Sequence, residues 1–141
     1  MLKRIRRKFT AKIVHVSVLM IHGNITFQYF IIHKMPSIGP IQLPEFPLLL
    51  APMEDVSDPP FRAVCKDKGA DLMYTEFISS EGLIRDAIKS RKKLDIFDYE
   101  KPVGIQIFGG DEESLSLAAK IVDVTNPDLL DINFGCPVKK V

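Results

Sequence analysis

The chain has 141 residues, of which 46% are hydrophobic and 26% charged, so it is long enough to bury the core of one ordinary domain. Its two cysteines lie far apart without a CxxC pair, and all three histidines fall within the first 34 residues. This argues against a metal site, a disulfide framework and a histidine-dependent triad, and favours a reducing cytoplasm. Residues 1–34 hold seven basic residues and no acidic one, whereas residues 35–141 hold the other 12 basic and all 18 acidic residues. The resulting net charge of −6 means that the electric field of residues 35–141 would not by itself attract a nucleic acid.

Residues 1–34 are a basic and then apolar extension. The basic cluster at 3–8 precedes a largely apolar stretch at 13–32, a pattern typical of a signal peptide or a membrane anchor. Polar residues interrupt that stretch and no small-residue cleavage pattern follows it, so it fits a spanning helix poorly and we do not expect a membrane protein. An upstream extension read from an early start codon is the preferred interpretation, and an anchor and a basic arm are the alternatives.

From residue 35 onward, short apolar runs alternate with amphipathic segments. The pattern predicts, in order, a hairpin or strand arm at Ile38 to Leu43, a strand at Phe46 to Met53, a helix over about 59–68 and a strand at Asp71 to Thr75. The run Phe46 to Met53 is continuously apolar, which predicts a strand buried on both faces. Ser57 or Asp58 should cap the following helix, and Gly69 should end it.

The same alternation continues to the end of the chain. It predicts a helix from Ser79 to about Ser90, a strand at Val103 to Phe108, a helix between Asp111 and Asn126, and a strand at Leu129 to Asn133. Alternating units predict an α/β protein with a parallel sheet, and the first strand-to-helix turn lacks the glycine-rich loop of a dinucleotide fold. Four units in about 105 residues make half of a (β/α)8 TIM barrel. Residues 35–141 are therefore predicted to be the N-terminal half of such a barrel, with only about the first four βα units present.

Barrel enzymes carry their chemistry at the C-terminal ends of the strands. The strand ends that stand out are Pro52-Met53, Thr75-Glu76, Gln106, and Asn133 to Cys136. Gln106 alternates with two isoleucines, so it should face the barrel interior, where a buried amide needs a polar partner. Cys136 follows a glycine that lets backbone approach a ligand closely. A purely structural interpretation fits some of these residues as well as a ligand contact does: Pro52 could simply end a strand, and Met53 could be an apolar plug. Cys65 fits a small buried hydrophobic residue in a helix better than a reactive thiol.

Four stretches together resemble the tRNA-dihydrouridine synthase family: LLLAPMEDVSDPPFR (48–62), TEFISSEGL (75–83), VGIQIFGGD (103–111) and DINFGCPVKKV (131–141). They occur in the family's order and spacing and cover nearly all of residues 46–141, but none of residues 1–34. The resemblance implies an FMN-binding TIM barrel with a helical C-terminal RNA-binding domain. It also implies that the enzyme reduces specific uridines in tRNA to 5,6-dihydrouridine, with NADPH as the reductant.

The resemblance further implies the role of each matching residue. Pro52, Met53 and Glu54 would lie against the flavin, Gln106 would hydrogen-bond its ring, Asn133 would lie near the substrate base, and Cys136 would donate a proton. Many members carry small residues where this chain has Glu54-Asp55, so the contact at position 54 is expected through backbone. In the implied reaction FMN reduced by NADPH gives a hydride to C6 of the flipped uracil, and Cys136 protonates C5.

Two alternatives remain open. One is another FMN barrel, such as a dihydroorotate dehydrogenase-like oxidoreductase, although the APM, SSEGL and GCP motifs together favour the tRNA enzyme. The other is a non-catalytic truncated fragment, because four strands leave sheet edges unpaired and the phosphate-binding region after strands seven and eight is missing. The chain alone is therefore expected to bind flavin weakly at most and to be inactive, with the tRNA-binding surface mostly in the missing C-terminal part. A flavin-free aldolase-type barrel is disfavoured because no strand end carries a lysine.

Overall fold

The structure is a computed structural model that describes residues 13–21, 24–31 and 35–135. The chain divides into two compact units, Met1–Pro36 and Ser37–Val141. In the first unit, β1 (Ile13–Ile21) pairs antiparallel with β2 (Asn24–Ile31). The described part of the apolar stretch is thus a pair of strands, and no helix within the described residues is long and apolar enough to cross a membrane.

The second unit opens with the predicted hairpin, in which β3 (Ser37–Ile38) and β4 (Ile41–Gln42) are antiparallel. The turn between them contains Gly39 at a φ of +55°, a left-handed conformation that favours glycine. This confirms the hairpin.

The strand predicted at Phe46 to Met53 is only an extended segment with one parallel bridge, between Leu49 and Leu72. Leu48 and Leu49 are 63% and 44% exposed, so the expectation of burial on both faces is wrong. Among the residues that the structure describes, this segment has a sheet neighbour on one edge only. A proline at position 47 and another at 52 also remove the N–H donors that a ladder would need.

Helix α1 (Pro59–Asp67) confirms the predicted helix to within one residue. The Asp58 carboxylate accepts a hydrogen bond from the Phe61 N–H at 3.0 Å, which satisfies a free donor of the first turn. Gly69 follows the helix with a φ of +96°. The local cap signals in the sequence were therefore sufficient to define this helix.

The next predicted helix, from Ser79 to Ser90, is wrong as a single element. The strand predicted at Asp71 to Thr75 is confirmed as the shorter β5 (Met73–Tyr74). In place of the single helix the chain forms β6 (Ile78–Ser79), α2 (Ser80–Ile84) and α3 (Ile88–Lys92), followed by a 3-10 turn at Asp98–Glu100. The break lies at Asp86, whose φ is +57°. The Ala87 N–H donates to the Gly82 carbonyl at 3.0 Å and the Asp86 N–H to the Leu83 carbonyl at 3.1 Å, which is the bonding pattern of a Schellman cap.

The sheet is centred on β7 (Val103–Phe108), which pairs in parallel with β5 and β6 along one edge and with β8 (Leu129–Asn133) along the other. Both β7 and β8 have the predicted bounds. Between them runs α4 (Glu112–Asp123), capped by Asp111, whose carboxylate accepts from the Ser114 N–H at 2.7 Å. Neighbours in the sheet therefore follow one another in sequence, as successive βα units do in a parallel sheet.

The helices cover one face of this sheet. Ile105 and Ile107 of β7 are fully buried in one cluster with Leu83 of α2 and with Ala118 and Val122 of α4. The α/β class with a parallel sheet is thereby confirmed. The described strands form an open sheet, so closure into a TIM barrel stays a prediction. The opposite face of β7 carries the candidate site.

Candidate active site

The candidate site lies on the sheet face that the helices do not cover. Side chains alternate across a strand, so Gln106 points away from the face that holds Ile105 and Ile107, and position 104 lies on the same side as Gln106. Gln106 is only 8% exposed. The expectation that Gln106 faces away from its isoleucine neighbours and finds polar partners is confirmed.

Gln106 has two polar partners on β8. The Asn133 side-chain Nδ2 donates to Gln106 Oε1 at 3.2 Å, and Gln106 Nε2 donates to an Asp131 carboxylate oxygen at 2.5 Å. The parallel register makes this possible, because Gln106 lies opposite Asp131 and the end of β7 lies opposite Asn133. The backbone N–H of Gly135 in turn donates to Asn133 Oδ1 at 2.9 Å. Two predicted site residues, Gln106 and Asn133, are thus in direct contact.

Asp131 and Tyr74 also belong to this face, and neither was predicted from the sequence. Burial, and secondarily the negative charge of Asp131, raise the pKa of the Tyr74 phenol above its ordinary value of 10.0. Tyr74 lies opposite Gly104 in the register of β5 and β7. Asp131 alternates with Leu130 and Ile132 just as Gln106 alternates with its isoleucines, so the signal that identified Gln106 was also present for Asp131.

The loop after the first extended segment holds the predicted flavin contacts Pro52 and Met53, both half-buried. The buried Ser57 hydroxyl accepts from the Met53 N–H at 2.9 Å and donates to the Met53 carbonyl at 3.0 Å. The Arg62 guanidinium donates to the Ser57 carbonyl at 2.8 Å. The backbone of this loop is therefore fixed from within the described chain.

Glu54, the third predicted flavin contact, directs its carboxylate into an ion-pair network. It pairs with Lys93 at 2.5 Å and with Lys89 at 3.3 Å, while the Asp55 N–H donates to Glu76 at 2.5 Å. The hydrogen bonds to Glu54 and then Asp55 are the main causes that raise the pKa of Lys89. The carboxylates of Glu54, Asp55 and Glu76 lie within 4.8 Å of one another. Lys89 and Lys93 pair with these carboxylates, and their positive charges account for the cluster without a metal ion.

The predicted site residues thus fall into two groups. Gln106 and Asn133 lie together on the sheet face that the helices do not cover, which we call the inner face. The hydrogen bonds of Met53 and Glu54 go instead to Ser57 in the same loop and to Lys93 at the end of α3. Cys136 lies outside the described residues. The roles given to all six residues stay predictions.

Comparison with known proteins gives a family. Residues 49–141 match the family model described as dihydrouridine synthase. The chain is 40% identical over 104 residues to tRNA-dihydrouridine synthase B of Pseudomonas aeruginosa, covering 74% of this chain and 31% of that protein. It is 42% identical over 96 residues to a probable tRNA-dihydrouridine synthase of Aquifex aeolicus (67% and 30%) and 38% identical over 94 residues to tRNA-dihydrouridine synthase B of Escherichia coli (67% and 29%). The chain spans about a third of the length of these curated relatives. The match favours the tRNA enzymes over a dihydroorotate dehydrogenase-like barrel.

Proposed function

This chain belongs to the dihydrouridine synthase family, and from that membership we propose that it carries cofactor-facing and substrate-facing residues of an enzyme that reduces specific uridines in tRNA to 5,6-dihydrouridine. The proposed cofactor is FMN and the proposed reductant is NADPH. In this proposal the reaction is that of the assembled enzyme, of which the chain supplies the part matched by residues 49–141.

The hydrogen bond between Asn133 and Gln106 carries the proposal. The family resemblance assigns these residues to the substrate base and to the flavin, respectively, and they lie 27 positions apart in the chain. Their side chains meet at 3.2 Å on adjacent parallel strands, near the C-terminal ends. Barrel enzymes bring cofactor and substrate together at that end of the sheet.

The residues present fit a flavin by the chemistry of their donors. Each side-chain amide has two N–H bonds, and the described contacts of Gln106 and Asn133 use one bond of each. The spare N–H groups suit the carbonyl oxygens and ring nitrogens of an isoalloxazine. Pro52 and Met53 would hold the ring from the loop, and Glu54 would contribute backbone only, because its carboxylate is committed to Lys93. When bound, FMN would supply hydride transfer, a chemistry that amino-acid side chains lack.

The chain's own residues would then orient the uracil and supply a proton. Asn133 would hold the base, and Cys136, three positions further on, would act as the general acid. An ordinary cysteine thiol is protonated at neutral pH, which suits proton donation rather than nucleophilic attack.

The proposed macromolecular partner is tRNA, and the proposed location is the cytoplasm. A uridine must leave its base stack to reach the strand ends, which costs about a few kcal/mol and requires basic residues that contact the surrounding phosphates. Because residues 35–141 have a net charge of −6, we place most of these phosphate-contacting residues outside this range.

The proposal is tested by flavin binding and product formation with the full chain. FMN is titrated into the chain and into the variants Gln106→Leu and Gln42→Leu, the latter an exposed glutamine of β4. We expect Gln106→Leu to weaken FMN binding by about tenfold, the effect of one lost hydrogen bond in a buried site, and Gln42→Leu to leave it unchanged. Dihydrouridine is then measured by mass spectrometry in unmodified tRNA incubated with the chain, FMN and NADPH. Weak FMN binding that depends on Gln106, without dihydrouridine formation, is the result expected of this part of the enzyme. FMN binding that is insensitive to Gln106 would contradict the proposal, and dihydrouridine formed by the chain alone would contradict the expectation that it is inactive by itself.

A further inference from the structure

The hydrogen bonds on the inner face form one continuous row with a single direction. The Gly135 backbone N–H donates to Asn133 Oδ1, Asn133 Nδ2 donates to Gln106 Oε1, and Gln106 Nε2 donates to Asp131. Every donor in the row therefore points toward the Asp131 carboxylate. No buried side-chain nitrogen or oxygen among the described residues lacks a partner.

The direction follows from the chemistry of the two ends. A backbone N–H can only donate, and an ionised carboxylate can only accept. The two amides between them can each present oxygen or nitrogen to a neighbour, but only one arrangement pairs every atom with its complement. Asp131 is the accepting end, and it contacts the more deeply buried amide, that of Gln106. A charge-assisted bond of this kind is about twice as strong as one between neutral groups.

We propose that Asp131 is a positioning residue that holds the Gln106 amide with its nitrogen toward Asp131 and its oxygen toward Asn133. In this orientation Gln106 and Asn133 together present their remaining N–H donors to the ligand. Such a donor edge suits the carbonyl oxygens of a pyrimidinedione ring, in which two carbonyl groups flank an N–H, whether in the flavin ring or in uracil. The inference rests on the proposed function for the identity of the ligand, but not for the orientation of the amides.

Two substitutions separate this role from packing. Asn at position 131 keeps an acceptor oxygen, whereas Leu has a similar size and no acceptor. If Asp131 only fills space on a strand, Leu should be tolerated at least as well as Asn, since apolar branched side chains suit half-buried strand positions. If Asp131 orients Gln106, Asn should rescue the orientation and Leu should abolish it.

The first measurement uses the full chain without ligand. Hydrogen exchange of side-chain amides is followed by NMR, with the exposed Gln42 as an internal reference. In the unsubstituted protein we expect the Gln106 amide to exchange at least about tenfold more slowly than Gln42, the size of one hydrogen bond. Asp131→Asn should keep most of that protection and Asp131→Leu should lose it. Equal exchange of Gln106 and Gln42 in the unsubstituted protein overturns the inference even if a variant fails to fold, and so does full protection in a folded Asp131→Leu.

The second measurement adds FMN to the same three proteins. Asp131→Leu should weaken FMN binding by about tenfold and Asp131→Asn by much less, with circular dichroism showing that both are folded. If none of the three binds FMN, the proposed cofactor fails while the amide exchange still decides the role of Asp131. If all three bind FMN equally, the orienting role fails and the proposed function stands.

Discussion

Arg62 and Glu100 form an ion pair in the protein interior, with side-chain exposures of 2% and 0%. The guanidinium donates from both Nε and Nη2 to the two carboxylate oxygens, the latter bond at 3.1 Å. Its other donors go to the carbonyls of Ser57 at 2.8 Å and Asp95 at 2.7 Å. One side chain therefore ties α1 to the loop of Met53 and to the segment that leads into β7.

Removing Glu100 should destabilise the fold strongly. Glu100→Ala leaves the Arg62 charge buried without its partner, and we expect a loss of about 3–5 kcal/mol in the free energy of unfolding. Urea unfolding followed by circular dichroism measures this. The matched control is Glu81→Ala, which removes an exposed pair with Arg85 and should cost less than about 1 kcal/mol. Similar losses in the two variants would contradict a structural role for the buried pair.

Gly104 should resist substitution because it lies between two side chains on the inner face. A Cβ at this position would come within 2.8 Å of a ring carbon of Tyr74 and within 2.8 Å of the end of Leu129. The leucine can move cheaply, but the tyrosine ring is half-buried and has less room to move, so Gly104→Ala should cost about 1–3 kcal/mol. Gly110→Ala is the control, since a Cβ there meets nothing within 4 Å. Thermal unfolding of both variants distinguishes crowding at position 104 from a general intolerance of alanine.

The sequence was sufficient where structure depends on neighbours along the chain. The caps at Asp58 and Asp111 define α1 and α4, and the apolar runs define β7 and β8 with their observed bounds. The helix break at Asp86 was missed because a left-handed aspartate has no periodic signature, and the run around the helix is otherwise a good helical pattern.

The site was only half predictable for a related reason. Alternation within β7 identified Gln106, but its bond to Asp131 depends on the register between two strands that lie 25 positions apart. The same holds for Tyr74, whose nearness to Asp131 crosses three strands. The exposure of Leu48 was mispredicted because it depends on which strands lie beside the segment, and composition does not specify that.

Tyr74 gives the fold a dependence on alkaline pH. Its pKa is raised in the folded chain, mainly by burial and secondarily by Asp131, so the unfolded chain loses this proton first as the pH rises. The contribution of Tyr74 to stability is therefore fully present below about pH 10 and is lost as the pH rises through the folded-state pKa. The raised pKa of Lys89 acts in the same direction, so the part due to Tyr74 must be separated by substitution.

Absorbance titration of the phenols provides that separation. Tyr74→Phe should remove the phenol ionisation with the raised midpoint, which assigns that ionisation to Tyr74. Asp131→Leu should lower that midpoint because a negative charge is removed, yet leave it above 10.0 because the burial remains. A midpoint that does not move in Asp131→Leu would show that the Asp131 charge does not act on the phenol.

Cys136 should matter for product but not for flavin reduction. It follows Gly135, whose N–H is bound to Asn133, and in the proposed function it delivers a proton after the hydride has been transferred. In any preparation in which this chain supports turnover, Cys136→Ala should lower dihydrouridine formation by about 10²–10⁴-fold, the contribution of a general acid, and leave reduction of FMN by NADPH intact. Cys65→Ala is the control, because Cys65 is a half-buried thiol of α1. An unchanged dihydrouridine yield in Cys136→Ala would refute the assignment, whereas slower flavin reduction would indicate that Cys136 supports the cofactor rather than the proton transfer.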